Sequence, residues 1–339
     1  METSTPLLAL RASIHIKCLG MFDSPESQFA IDAVREASLL ARRIQGEMVG
    51  SGLTKDDRSP VTVADFAVQA LIARRLAESL PGAALIGEEQ ADALRLEEGV
   101  TTLDHITDFV RSAIPDATPE EVCGLIDRGS GEPGDTYWTL DPIDGTKGFL
   151  RRQQYAVALA LVRNGKVEFG VLGCPELNGG SIVAAQRGQG TWSRSLSGDN
   201  PWKQLYVSAR RDAKDARILR SVEKAHTNVD EIGQLAATLG VTAPAVGMDS
   251  QAKYAVLAAG EGEVLLRLLS PSRPDYREKI WDQAAGSIVI EEAGGRITDL
   301  DGKPLDFSHG RTLAQNRGIL ATNGALHNAL LAGLRSIGA

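Results

Sequence analysis

The sequence predicts an α+β fold in which mixed sheets pack against helices. Helical and strand patterns are interspersed along the chain without strict strand–helix–strand alternation, which argues against a doubly wound parallel sheet. Two apolar runs, Tyr155–Val162 and Val167–Leu172, are separated by Asn164-Gly165, a strong signal for an antiparallel hairpin. Of the 339 residues, 43% are hydrophobic and 24% are charged, as in ordinary globular proteins.

The first half of the chain opens with two predicted helices. Ser24-Pro25 has the pattern of an N-cap and a first helical residue, and apolar residues continue at helical spacing to about Gly50. Asp65 begins the second helix, and Pro81-Gly82 ends it. A short buried strand, Ala84–Gly87, follows and leads directly into Glu88 and Glu89. Two more helices are predicted at Leu103–Ala113 and Pro119–Ile126, and a glycine-rich loop at Gly129–Gly134.

The remaining predicted elements are shorter and mostly apolar. After the hairpin, the sheet is expected to continue through Ser181–Ala185 and Gly188–Trp192. The second half is predicted to contain strands at Ile218–Val222, Ala245–Val246, Glu263–Leu268 and Arg296–Leu300, and helices at Val229–Leu239, Gln251–Ala259, Trp281–Ala293 and Ala325–Leu334.

A polar break at Ser193–Trp202 divides the chain. We expect an N-terminal α+β half at residues 21–200 and a C-terminal α/β half at residues 201–339. In Met1–Gly20 the basic residues follow the apolar ones, which is the wrong order for a secretory signal. Because Met21 leads directly into the first helix, we expect Met1–Gly20 to be a disordered or mis-annotated extension.

Composition excludes several classes of function. The formal net charge is −8, so nonspecific binding of nucleic acid through phosphate neutralisation is not expected. Cys18, Cys123 and Cys174 lie far apart and lack CxxC spacing, which favours reduced thiols in a cytoplasmic protein over a disulfide scaffold or zinc site. No apolar run approaches the length of a membrane-spanning helix, so no membrane partner is expected. The oligomeric state is left open, with a monomer favoured.

The segment Trp138–Lys147 carries the clearest chemical signal. An apolar lead-in reaches Asp141 and Asp144 in a Pro-containing turn, so both acids can point at one spot. Gly145-Thr146 then supplies backbone N–H groups at a predicted helix start, where a phosphate can bind. Hard divalent metal beside phosphate is the chemistry that this pattern indicates. The alternative is an ordinary acidic surface turn, because Asp, Pro and Gly are common turn residues.

Other acids recur at the ends of predicted elements. They are Asp65, Glu88 with Glu89, and Asp282 beside Trp281. Each alone is explicable as a surface acid. Brought together, such carboxylates would repel one another and raise one another's pKa unless metal ions neutralised them.

These acids lie within four ordered motifs. The motifs are Gly87-Glu88-Glu89, Asp141-Pro142-Ile143-Asp144-Gly145-Thr146, Trp281-Asp282-Gln283-Ala284-Ala285-Gly286 and Glu291-Glu292-Ala293-Gly294-Gly295. From about residue 24 to 334 the chain resembles the lithium-sensitive, Mg²⁺-dependent phosphomonoesterase superfamily, which includes the inositol monophosphatases and the 3′(2′),5′-bisphosphate nucleotidases. The resemblance implies a layered α/β/α/β/α sandwich, with mixed sheets and with helices between and outside them.

Further segments resemble the nucleotidase branch. They are Asp144–Arg151, Gly173-Cys174-Pro175, Ser221-Val222-Glu223 with His226, Met248–Tyr254 and Lys279–Asp282. The implied activity is hydrolysis of adenosine 3′,5′-bisphosphate to AMP and phosphate, with 3′-phosphoadenylyl sulfate as a second candidate substrate. The alternatives are an inositol phosphate phosphatase of the same superfamily and a catalytically idle nucleotide-binding regulator.

The resemblance also implies roles for individual residues. In the metal-binding half, Glu88, Asp141, the backbone carbonyl of Ile143, Asp144 and Asp282 would coordinate two or three Mg²⁺ ions. Asp65 and Thr146 would orient and deprotonate the attacking water, and the N–H groups of Gly145 and Thr146 would hold the scissile phosphate. In the substrate-selecting half, the residues implied to bind the nucleotide are His226, Ser250, Lys253 and Arg267.

Two features depart from the family pattern. Arg152 follows Arg151 where the family generally has glycine, and Ser270–Arg277 adds a basic loop on the substrate side. Either feature could change which phosphorylated ligands the protein accepts.

Overall fold

The computed structural model describes residues 22–49, 60–198, 200–222 and 228–339, so the predicted extension Met1–Gly20 lies outside the described residues. The helices are α1 Pro25–Ile44, α2 Pro60–Ser79, α3 Val100–Arg111, α4 Pro119–Asp127, α5 Thr146–Leu150, α6 Val229–Thr238, α7 Ala252–Ala258, α8 Ala284–Glu292 and α9 His327–Ile337. A π-helical turn, Gln45–Val49, extends α1, and short 3₁₀ turns lie at Asp92–Arg95, Glu97–Gly99 and Ala213–Asp215.

The strands form two sheets. They are β1 Leu85–Gly87, β2 Thr136–Asp144, β3 Ala156–Arg163, β4 Lys166–Cys174, β5 Ser181–Gln186, β6 Gly190–Ser195, β7 Lys203–Leu205, β8 Ile218–Arg220, β9 Val246–Gly247, β10 Val264–Arg267, β11 Arg296–Thr298 and β12 Ile319–Thr322. The first sheet has the order β1-β2-β3-β4-β5-β6-β7, and only its β1–β2 pair is parallel. The second has the order β11-β12-β10-β8-β9, with parallel pairs at β10–β8 and β8–β9.

Alternation along the strands separates the apolar cores. In β3, Val157, Leu159 and Leu161 face one core, while Ala158 and Ala160 face the next. The first core lies between the first sheet and α1 and α2, and the second holds α7 and α8 between the two sheets. A third core joins the far face of the second sheet to α6 and α9. The layers are therefore helix, sheet, helix, sheet, helix, as predicted.

Sequence patterns located most elements but misplaced three boundaries near the acids. Helix α2 includes Pro60, so Asp65 lies within this helix instead of beginning it. Strand β2 continues through the Asp141–Asp144 motif, where the predicted turn is only an irregularity in the pairing with β3. Asp282 precedes α8 because the chain turns at Trp281 before the helix begins at Ala284. The division at residue 200 stays a prediction; β7, just beyond it, pairs with the first sheet.

Among the described residues, no helix is long and apolar enough to cross a membrane.

Candidate active site

A cavity of about 470 Å³ lies where the end of β2, the start of α5, the turn before α7 and the segment after β10 meet. Ten of the residues named from the sequence line it: Glu88, Asp141, Ile143, Asp144, Gly145, Thr146, Ser250, Lys253, Arg267 and Asp282. Asp65 is buried outside the lining, and His226 lies outside the described residues. The structure thus brings together acids from separate segments with cations from the second half of the chain.

Asp141 is the most buried of the acids that line the cavity. Asp141 is 2% exposed, and among the described residues its Oδ1 has no hydrogen-bond partner. Burial raises the pKa of Asp141 well above its usual range, and the negative charges of Glu88, Asp144 and Asp282 raise it further. A carboxylate in this position is costly unless a positive charge compensates it.

Asp144 has more support from the protein. Its Oδ2 accepts a hydrogen bond of 2.6 Å from the backbone N–H of Gln251. Burial raises the pKa of Asp144, while the nearby positive charges of Lys253 and Arg267 act in the opposite direction. The pKa of Asp282 is also raised by burial, although Arg267 lies close, with 3.9 Å between its Nη2 and Asp282 Oδ2.

A buried amide positions the acids at the end of β1. Gln69, on α2, donates hydrogen bonds of 2.8 Å to the carbonyl oxygens of Glu89 and Ile126 and accepts one from the N–H of Glu89. Glu88 projects into the water of the cavity, and its pKa is raised by partial loss of solvation and by Asp144. Arg311 adds a second support, because its guanidinium donates to the carbonyl of Gly87 just before Glu88.

Asp65 approaches these acids from α2. The backbone N–H of Ile143 donates a hydrogen bond to its carboxylate, which joins α2 to the acidic end of β2. Burial and the charges of Glu89 and Glu88 raise the pKa of Asp65 well above its usual range. A carboxyl group with a raised pKa is suited to take up a proton.

This acid set fits a hard divalent cation such as Mg²⁺. All of the donors are oxygens, and the unpartnered Oδ1 of Asp141 is an acceptor that a cation would satisfy. Among the described residues, no group of three or more acidic, histidine or cysteine side chains is already drawn together to hold an ion. The negative charge of Glu88 raises the pKa of Asp141, so a bound cation would relieve the repulsion between these two carboxyl groups.

Gly145 is required by close packing at the start of α5. Its φ of 95° is in the left-handed region, and a Cβ atom there would lie 2.8 Å from the Cβ of Ser250. The turn from β2 into α5 therefore touches the turn that precedes α7. This contact places Thr146 and Ser250 in the wall of the same cavity.

Lys253 is already hydrogen-bonded within the protein. Its Nζ donates to the carbonyl oxygens of Met248 at 3.0 Å and Ser250 at 2.7 Å. Burial lowers the pKa of Lys253 to about 8, although the charge of Asp144 opposes this shift. Lys253 thus supports the turn whose next amide, that of Gln251, donates to Asp144.

Arg267 also has a partner that the sequence did not identify. Its guanidinium forms a double contact with buried Glu278, with Nε 3.1 Å from Oε1 and Nη2 2.9 Å from Oε2. Gln283 donates to Glu278 at 2.8 Å, and the hydroxyl of Tyr254 donates to Gln283. A guanidinium that points inward needs an anionic partner, and the carboxylate of Glu278 supplies one for Arg267.

Sequence reasoning missed Gln69 and Glu278 at the site, and it identified Arg273 and Tyr276 only as members of the basic loop Ser270–Arg277. Gln69 lies four residues after Asp65, so both residues lie on one face of α2, and this spacing could have identified it. Glu278 offered no such signal, because its pairing with Arg267 depends on a loop that returns to the end of β10.

Comparisons with known proteins agree with this architecture. Residues 23–339 match the inositol monophosphatase family. A 3′(2′),5′-bisphosphate nucleotidase from Schizosaccharomyces pombe is 40% identical over 328 residues, which cover 88% of this chain and 92% of that protein. A protein of the same name from Oryza sativa is 42% identical over 327 residues, covering 88% and 90%. The structure of an IMPase from Thermotoga maritima has a TM-score of 0.64 at 21% identity, covers 93% of this chain and 98% of that one, and shares the fold.

Proposed function

Because this chain belongs to the inositol monophosphatase family, we propose that it is a Mg²⁺-dependent phosphomonoesterase that converts adenosine 3′,5′-bisphosphate to AMP and phosphate. The substrate rests on the nucleotidases that are 40% and 42% identical over most of their length. The observation that carries the chemistry is the unpartnered, buried Oδ1 of Asp141 among other acids in a cavity that also contains cations. Cytoplasmic location and a monomeric state stay predictions.

Metal binding belongs to the acid end of the cavity. The family is metal-dependent, and we propose Glu88, Asp141, the carbonyl of Ile143, Asp144 and Asp282 as the Mg²⁺ ligands. When bound, Mg²⁺ would neutralise phosphate charge and favour ionisation of water. The number of ions, two or three, is part of the proposal.

Proton removal from the attacking water is assigned to Asp65 and Thr146. The raised pKa of Asp65 suits proton uptake, and its hydrogen bond from Ile143 fixes it beside the acidic end of β2. Thr146 lines the cavity at the first position of α5, where its N–H and that of Gly145 can face an anion. Asp65→Ala should lower kcat by orders of magnitude. Full activity in this variant would show that another group is the base.

The other side of the cavity would receive the rest of the nucleotide. Ser250, Lys253 and Arg267 line this side, while His226, the fourth expected residue, lies outside the described ranges. Lys253 and Arg267 keep their positive charges near the ligand, although both are also bonded within the protein. 3′-Phosphoadenylyl sulfate remains a second candidate substrate, because it carries the same 3′-phosphate.

A side-by-side phosphate-release assay tests the proposed substrate. Purified protein with Mg²⁺ should hydrolyse adenosine 3′,5′-bisphosphate with a higher kcat/KM than inositol 1-phosphate, and chelation with EDTA should remove both activities. Preference for inositol 1-phosphate would support the rival phosphatase. Absence of turnover on either compound would support the idle nucleotide-binding regulator.

A further inference from the structure

The cavity contains a guanidinium group that the proposed catalytic and binding roles do not use. It belongs to Arg273, in the loop that follows β10 and lines the cavity with Tyr276. Lys253 and Arg267, the cations expected to bind the second anionic group, are bonded to carbonyl oxygens and to Glu278. Among the described residues, no carboxylate pairs with the guanidinium of Arg273, whose charge is therefore available to a ligand.

The Arg273 loop is closed at its base and ordered by turns. The Arg267–Glu278 ion pair joins the residues at its two ends. Within the loop, the N–H of Arg273 donates to the carbonyl of Ser270 at 2.8 Å, and the N–H of Tyr276 donates to the carbonyl of Arg273 at 3.2 Å. This path places both residues in the cavity wall, where Arg273 is exposed and Tyr276 is half-buried.

Tyr276 holds the Arg273 side chain by stacking. The guanidinium carbon lies 4.5 Å from the centre of the Tyr276 ring. A cation over an aromatic face loses conformational freedom before the ligand arrives, while its N–H donors remain free at the edge. Two N–H groups on this edge of the guanidinium can donate hydrogen bonds to two oxygens of one phosphate.

We propose that Arg273, positioned by Tyr276, binds the second anionic group of the substrate and so selects nucleotides that carry a 5′-phosphate over those that carry only the 3′-phosphate. This inference rests on the proposed nucleotidase function. The acid end of the cavity takes the scissile group, so a second phosphate needs a cation elsewhere in the wall. Arg273 adds such a cation to those of Lys253 and Arg267, and unlike Arg267 it is not held by Glu278.

The test compares adenosine 3′,5′-bisphosphate with adenosine 3′-monophosphate, which lacks the second phosphate. Arg273→Ala should lower kcat/KM for the bisphosphate about tenfold, mainly through a higher KM, because one charge-assisted contact is lost. The value for the monophosphate should stay within about twofold of wild type. Arg273→Lys should lie between, since it keeps the charge but not the planar fork.

Arg277→Ala is the matched control. It removes the same charge from the same loop, but Arg277 does not line the cavity and donates to the carbonyl of Tyr276. This variant should change kcat/KM equally for the two substrates. Wild-type turnover of the bisphosphate with an unchanged substrate ratio in Arg273→Ala would overturn the role of Arg273 alone. A wild-type protein that releases no phosphate from the bisphosphate would overturn the proposed function as well.

Discussion

Backbone strain occurs both at a residue inside the candidate site and at a residue outside it. Ser250 and Arg152 have φ values of 69° and 55°, in the left-handed region that favours glycine. Ser250 is held there by Lys253, which donates to its carbonyl, and it packs against Gly145 in the cavity wall. Arg152 is exposed after α5, at a position where the resembling family generally has glycine. The strain at Ser250 thus belongs to the site, whereas that at Arg152 has no such support.

Arg152→Gly should therefore stabilise the protein. Glycine adopts positive φ without steric cost, and this gain exceeds its entropy cost in the unfolded chain, for a net increase in unfolding free energy of about 0.5–1 kcal/mol. Urea denaturation followed by circular dichroism measures the change. Gln153→Gly, at the exposed neighbouring residue outside the left-handed region, should destabilise instead. A loss of stability in both variants would show that Arg152 is not strained.

At the scale of elements, α2 and the end of β1 depend on one buried amide. Gly87 and Gly129 pass so close to Gln69 that a Cβ atom would lie 2.4 Å and 2.7 Å from its side-chain atoms. This approach lets Gln69 reach three backbone groups, two of Glu89 just after β1 and one of Ile126 near the end of α4. The helix that carries Asp65 therefore also fixes the backbone next to Glu88.

Gln69→Leu should reduce both stability and activity. It removes the partner of the Glu89 carbonyl and N–H, while the carbonyl of Ile126 keeps the bond from the Gly129 N–H, so the unfolding free energy should fall by about 2 kcal/mol. Because the backbone beside Glu88 is then less constrained, more Mg²⁺ should be required for half-maximal activity. Denaturant unfolding and a Mg²⁺ titration of phosphate release measure the two effects. Gln234→Leu, at an exposed position of α6, should change neither; an equal Mg²⁺ requirement in both variants would contradict the role of Gln69.

Sequence patterns correctly predicted the elements that are specified by neighbouring residues, such as hairpin turns. The Asn164-Gly165 hairpin was correct, because residues at both ends of the turn pair as β3 and β4. Strands β7 and β12 were missed because they are short and depend on pairing with other strands. Strand β7 pairs with β6, and β12 pairs with β10 and β11. The pairing of Arg267 with Glu278 was missed for a similar reason. It depends on the return of a loop, which sequence spacing does not encode.

At the scale of the whole molecule, the fold brings repelling charges together. Asp65 comes from α2, Glu88 follows β1, Asp141 and Asp144 end β2, and Asp282 precedes α8. The order of these acids along the sequence predicted the cluster, but their burial and the missing partner of Asp141 Oδ1 required the three-dimensional structure. Apolar packing on both sides of the first sheet must offset this repulsion.

Asp141→Asn should abolish activity and raise the unfolding temperature of the metal-free protein. In EDTA the variant should unfold at a higher temperature than wild type, because one buried charge is removed from the cluster. Mg²⁺ should raise the unfolding temperature of wild type but have much less effect on the variant, which should also lack activity. Differential scanning calorimetry measures both changes. Asp104→Asn, at an exposed position of α3, should retain the wild-type response to Mg²⁺. A wild-type response in Asp141→Asn would show that Asp141 is not a metal ligand.

Product identification with adenosine 3′,5′-bisphosphate tests the proposed reaction most directly. Purified protein is incubated with the bisphosphate and Mg²⁺, and the nucleotide product is separated by chromatography against adenosine 5′- and 3′-monophosphate standards. We predict adenosine 5′-monophosphate and an equimolar amount of inorganic phosphate, with no product in EDTA. Formation of adenosine 3′-monophosphate, or recovery of the unchanged bisphosphate, would contradict a nucleotidase that removes the 3′-phosphate.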